Sequence, residues 1–127
     1  MSDLVTGIDH VYYWTSDMDR AVEFYADVLG LNLLRREGSN WAEFEAGPVK
    51  FALHGAVEGH PVESGGATAS FKVHDLDAAV AAVESRGAAI GHRGEVGTEA
   101  RYAILRDPDG NSVQLIEYSG DAGSPSP

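Results

Sequence analysis

The pattern that most restricts this chain is an internal repeat. SDMDRAVEFYADVLG (16–30) and HDLDAAVAAVESRG (74–87) share an Asp-x-Asp opening, a helical spacing of apolar residues and a closing glycine. Asp17 and Asp75 stand 58 residues apart in a chain of 127, close to half its length. One small unit built twice is the expected plan.

Each copy has the physics of a helix. Met18, Ala21, Val22, Tyr25, Val28 and Leu29 fall on one apolar face, and Leu76, Ala79, Val80 and Val83 do the same in the second copy. Ser16 or Asp17, and Asp75, suit the N-cap, and Gly30 and Gly87 suit a left-handed C-cap. A strand-like run precedes each helix, IDHVYYWT (8–15) and ATASFKV (67–73). Three β-rich segments follow each: 31–37, 40–46 and 49–54, then 89–96, 100–106 and 112–118. Asp107-Pro108-Asp109-Gly110 supplies the turn between the last two. The expectation is an α+β fold of two tandem βαβββ modules within one structural domain. Residues 1–63 form the first module with its linker, 64–118 the second, and 119–127 a disordered tail.

The function classes narrow with composition. Nine basic against twenty acidic residues give a net charge of −11, which disfavours nucleic acid and anionic membranes as partners and leaves a small molecule. There are no cysteines, hence no disulfides and no thiolate chemistry, as fits a reducing cytoplasm. The opening MSDLVTGIDH has neither the basic nor the apolar region of a secretory signal, and no apolar run approaches a membrane span. A cytoplasmic location is expected.

The strand histidine followed by a helix ending FY…LG, and the RDPDGNSVQLIEY segment (106–118), resemble the vicinal oxygen chelate superfamily. Its members include glyoxalase I, extradiol dioxygenases, fosfomycin-resistance enzymes and bleomycin-resistance proteins. The resemblance covers about residues 7–118 and implies a curved mixed sheet around a cleft, often completed by a second chain as a homodimer. It does not select one activity, because the fold hosts several.

Strand alternation sorts the side chains. Ile8, His10, Tyr12 and Trp14 share the face that the resemblance assigns to the cleft, and Asp9, Val11, Tyr13 and Thr15 share the other. The family's four metal-ligand positions fall on His10, Ala52, Thr68 and Gln114. His54 is one strand repeat beyond Ala52. Ser70 and Lys72 share the Thr68 face, Trp41 shares one with Glu43 and Glu45, and Glu117 belongs on the helix side. Lys72 either attracts an anionic or carbonyl ligand or extends to the rim. His60, His74 and His92 read as surface residues in a loop, at a helix start and in a turn.

Two functions follow. The first is a metal-independent binding protein similar to the bleomycin-resistance branch, holding an aromatic or amphiphilic compound for antibiotic or metabolite sequestration. His10, Tyr12, Trp14, Trp41, His54, Thr68, Ser70, Lys72 and Gln114 line its site, no cofactor is required, and the family pattern places no carboxylate base on the cleft face. The alternative is a metal-dependent lyase, isomerase or dioxygenase acting on vicinal oxygens, with Zn, Ni, Mn or Fe held by His10, His54 and Gln114. A one-residue shift in the last strand would bring Glu117 into that set. No catalytic residue is assigned.

Overall fold

The structure, a computed structural model, describes residues 9–57, 62 and 65–119. Ile8, His60 and the tail beyond Ser119 lie outside the described residues. The chain divides into two compact units, Met1–Glu63 and Ser64–Pro127. Each holds one four-stranded mixed sheet and one helical segment, so the fold is α+β.

The first unit contains β1 (His10–Thr15), α1 (Met18–Glu23), β2 (Asn32–Glu37), β3 (Trp41–Ala46) and β4 (Val49–Gly55). Its sheet order is β1-β4-β3-β2, with β1 parallel to β4 and the other pairs antiparallel. The second unit contains β5 (Ala69–Lys72), α2 (Leu76–Ser85), β6 (Ile90–Val96), β7 (Ala100–Arg106) and β8 (Ser112–Tyr118). Its order, β5-β8-β7-β6, repeats the first in strand directions. The bulges repeat as well, at Leu33/Arg35 in β2 and at Ile90/His92 in β6.

The helix signals act as their chemistry predicts. Asp17 accepts from the Arg20 amide at 3.2 Å and Asp75 from the Ala78 amide at 3.1 Å, each satisfying a donor that has no partner within the helix. At the far end Gly87 takes φ 97°, and the Ala88 and Gly87 amides return to the Val83 and Glu84 carbonyls. The first copy is not uniformly α-helical. Phe24–Val28 form a π-helical turn, with the Leu29 amide on the Phe24 carbonyl. Gly30 follows Asp17 by thirteen residues, whereas Gly87 follows Asp75 by twelve. The π turn absorbs the extra residue and still delivers Gly30, at φ 79°, to its cap.

One face of each sheet is buried beneath its helix. Tyr13, Phe44, Phe51 and Leu53 pack with Met18, Ala21, Phe24 and Tyr25 in the first unit. Ala103, Leu105, Val113 and Leu115 pack with Leu76, Val80 and Val83 in the second. The β7–β8 turn is fixed by the buried Asp107, whose carboxylate accepts from the amides of Asp109 and Asn111 and from the Asn111 side chain. That closure sets the register of β8 and thereby the face on which Gln114 lies.

Candidate functional site

The face of the first sheet opposite α1 gathers rings. Pairing sets Tyr12 beside Ala52, Trp14 beside His54, and Trp41 opposite His54, so His10, Tyr12, Trp14, Trp41 and His54 all share it. Tyr12 is the hub. Its ring centroid lies 6.0 Å from His10, 5.8 Å from Trp14, 5.9 Å from Trp41 and 5.6 Å from His54. Trp14 and His54 approach to 4.1 Å, and Trp41 meets His10 and His54 edge to face. The separations are mostly those of favourable ring pairs, yet Tyr12 remains 41% exposed. The rings are tilted or edge to face, and together they form a polarisable patch.

Both imidazoles are oriented. The His54 Nδ1 donates to the Gly55 carbonyl at 2.8 Å, which leaves Nε2 as the accepting nitrogen of the neutral ring. His10 Nδ1 lies 2.8 Å from the Asp9 carboxylate. That hydrogen bond, reinforced by the imidazole's charge when protonated, lowers the Asp9 pKa from its ordinary value.

A carboxylate belongs to this face although the family pattern supplies none. Glu43 stands directly across from Ala52, its side chain only 18% exposed, and accepts from the Trp41 indole at 2.9 Å. Arg35 and Lys50 each come only to 3.9 Å of it. The signal for Glu43 is the two-residue turn Gly47–Pro48, which sets Ala46 opposite Val49 and hence Glu43 opposite Ala52.

The second sheet's equivalent face is different in kind. Gln114 donates to the Ser70 hydroxyl at 2.8 Å, and Ile116 is its same-face neighbour along β8. Thr68 lies one residue before β5 rather than within it, and Lys72 ends that strand. His92 is in β6 and not in a turn; its ring lies 5.8 Å from Tyr102, which shares the Gln114 face. His74 is exposed just ahead of α2. Alternation applied to β6 and β7 identifies both His92 and Tyr102.

Glu117 does not join Gln114. The β8 ladder runs from Ser112 to Tyr118 without a shift, so the register change that would turn Glu117 to the Gln114 face is absent. Its carboxylate instead accepts from the Leu76 amide at 2.7 Å and from Arg101 at 2.9 Å. The Leu76 amide first, then the Arg101 guanidinium, lowers its pKa. Glu117 fastens the start of α2 to the sheet.

The donors fit a divalent metal poorly. Of the positions where the family holds an ion, Ala52 has no donor, and Thr68 and Gln114 offer only weak neutral oxygens, the Gln114 Nε2 being the end bonded to Ser70. Among the described residues no group of three or more His, Asp or Glu is placed to hold an ion. A resident cation needs about three protein ligands, and neutral imidazoles and amides offset none of its charge.

Comparison with known proteins gives a consistent result. The family model of the Glyoxalase/Bleomycin resistance protein/Dioxygenase superfamily matches residues 7–115. An uncharacterized protein of Mycolicibacterium smegmatis is 33% identical over 105 residues, 83% of this chain and 86% of that one. A lactoylglutathione lyase of Haemophilus influenzae is 30% identical over 130 residues, covering 85% of this chain and 90% of its own. Among solved structures, TnmS3, an antibiotic binding protein from Streptomyces sp. CB03234, superposes with a TM-score of 0.75 at 24% identity, over 91% of this chain and 98% of that one. The last shows likeness of fold alone.

Proposed function

Since the chain belongs to the Glyoxalase/Bleomycin resistance protein/Dioxygenase superfamily, we propose that it is a small-molecule-binding protein that holds a planar aromatic or amphiphilic compound against the ring-bearing face of its first sheet. The observation that supports this reading is the five-ring cluster centred on the half-exposed Tyr12. Planar rings offer large apolar area at low entropic cost, and the oriented imidazoles with Glu43 add a few directional polar contacts. The reading includes a homodimer in the cytoplasm and no resident metal. The mismatch at Ala52 and the weak neutral donors at Thr68 and Gln114 support the last of these. No helix among the described residues is long and apolar enough to cross a membrane.

The chain has two tryptophans, Trp14 and Trp41, and both belong to the ring cluster. Intrinsic fluorescence is therefore a direct reporter of this face. Titration with planar aromatic compounds such as quinolines should quench it saturably, and Tyr12→Ala should weaken binding about tenfold, the equivalent of one lost ring contact. Absence of saturable quenching across such a panel would overturn the reading. So would a stoichiometric metal, found in protein purified without chelator, that is lost in His10→Ala.

A further inference from the structure

From the two sheets compared position by position, we infer that Glu43 and its surrounding rings select a positively charged planar compound, an N-heteroaromatic or ammonium-bearing cation, over a neutral one. The inference rests on the reading above and names the ligand's charge.

The fold contains its own control. Tyr12 and Ser70 each stand five residues before the aspartate that caps the following helix. Tyr12 pairs with Ala52, which faces Glu43; Ser70 pairs with Gln114, which faces Ile104. Glu43 and Ile104 thus occupy one place in two copies of the same sheet. Isoleucine is what a half-buried strand position prefers, and a carboxylate there gains nothing from β propensity and loses hydration. The architecture does not ask for an acid at this site, so its presence in only the first unit calls for a reason in the ligand.

The surroundings supply that reason. Glu43 is aligned by the Trp41 indole donor, while its two counter-cations remain at 3.9 Å on side chains more than half exposed. These are loose, solvent-screened partners that a bound cation displaces readily. The Tyr12 and Trp41 rings lie 5.9 Å apart on the sheet face that carries Glu43, and the π faces of such rings attract a cation. Rings alone accept any flat guest. Rings with a desolvated carboxylate discriminate by charge, because a neutral guest leaves the acid dehydrated without compensation and an anion is repelled.

The test compares N-methylquinolinium with quinoline, near-isosteres that differ in charge at neutral pH, by calorimetric titration at physiological ionic strength. The cation is expected to bind roughly tenfold more tightly. Glu43→Gln, which keeps the acceptor for Trp41, should bring the cation's affinity down to that of quinoline. Glu45→Gln removes the same unit of charge from the same strand and should leave the preference in place, separating Glu43 from the general field of a chain with net charge −11. Equal binding of the two compounds, or a preference that survives in Glu43→Gln, would overturn the inference while leaving the binding reading intact. Failure of both compounds to bind, as when a second copy of the chain covers the ring face, would overturn both.

Discussion

The two units are copies in backbone and opposites in chemistry. Both put β1-type and β4-type strands side by side in parallel, cap the helix with an aspartate and bulge the outermost strand. On the face away from the helix the first presents His10, Tyr12, Trp14, Trp41, Glu43 and His54. The second presents Ser70, Lys72, Gln114, Tyr102, Ile104 and Ile116 at the places that pairing assigns. The buried faces diverge as well: Tyr13, Phe24, Tyr25, Phe44 and Phe51 fill the first core, whereas the second is aliphatic. A shared backbone leaves the side chains free to diverge, and the ring cluster has gathered in one copy.

The largest effect expected from this contrast is in the cores. Tyr25 and Val83 each lie eight residues after their capping aspartate, and both are buried. Tyr25 packs against Phe51 at 4.7 Å and Phe44 at 6.0 Å. Tyr25→Ala opens a ring-sized void and should cost about 3–5 kcal/mol, while Val83→Ala removes only two carbons and should cost about 1.5 kcal/mol. Urea unfolding followed by tryptophan fluorescence measures the first, because both tryptophans lie in the first unit, and amide exchange measures the second. Equal costs would mean that the two cores are not differently built.

What can be read from the sequence in this contrast has a physical basis. The repeat, the two helices and the glycine caps are local: a capping carboxylate, a 3.6-residue spacing and a positive φ act within a few residues. The assignment of His10, Tyr12, Trp14 and His54 to one face needs only alternation, and Tyr12–Ala52 pairing agrees with it. Three features depend on more distant partners. The π turn at Phe24–Val28 reflects one surplus residue that shows only when the copies are aligned on both their aspartates and their glycines. Glu43 becomes a site residue only when β3 pairs with β4 and β4 with β1. Glu117 resembles a ligand in the last strand, and what occupies it is the Leu76 amide 41 residues earlier.

A middle-sized effect tests whether Glu43 is kept for a reason other than folding. Glu43→Ile gives the first sheet the residue of the second at that place, and should raise stability by roughly 0.5–2 kcal/mol, as replacements of binding-site groups by the residue the fold prefers commonly do. The converse Ile104→Glu should destabilise the second unit, since no indole donor stands where Trp41 does; Tyr102 is there instead. Thermal unfolding of both variants checks the pair. If Glu43→Ile is destabilising, Glu43 is part of the fold and the asymmetry between the units has a structural origin.

The smallest effect is electrostatic and belongs to the second unit. Arg101 and Glu117 form an ion pair, Arg101 and Arg93 also reach Asp77, and Glu117 holds the first amide of α2. The Glu117 pKa is lowered from its ordinary 4.5, chiefly by the Leu76 amide, and the Asp77 pKa from 3.8, chiefly by Arg93. A carboxylate whose folded pKa is depressed stabilises the fold in its ionised form. Its contribution is complete above the unfolded value and is lost as pH falls through the folded one. The first unit has Gly55 where Glu117 stands, one residue past the His54 and Ile116 positions, and so has no such clamp on α1. Wild type and Glu117→Gln should therefore differ most in Tm near neutral pH, and the gap should narrow as pH drops below about 4.5. A gap that stays constant down to pH 3 would show that the carboxylate's charge is not what fastens α2, leaving a neutral hydrogen bond to do so in the one unit that has it.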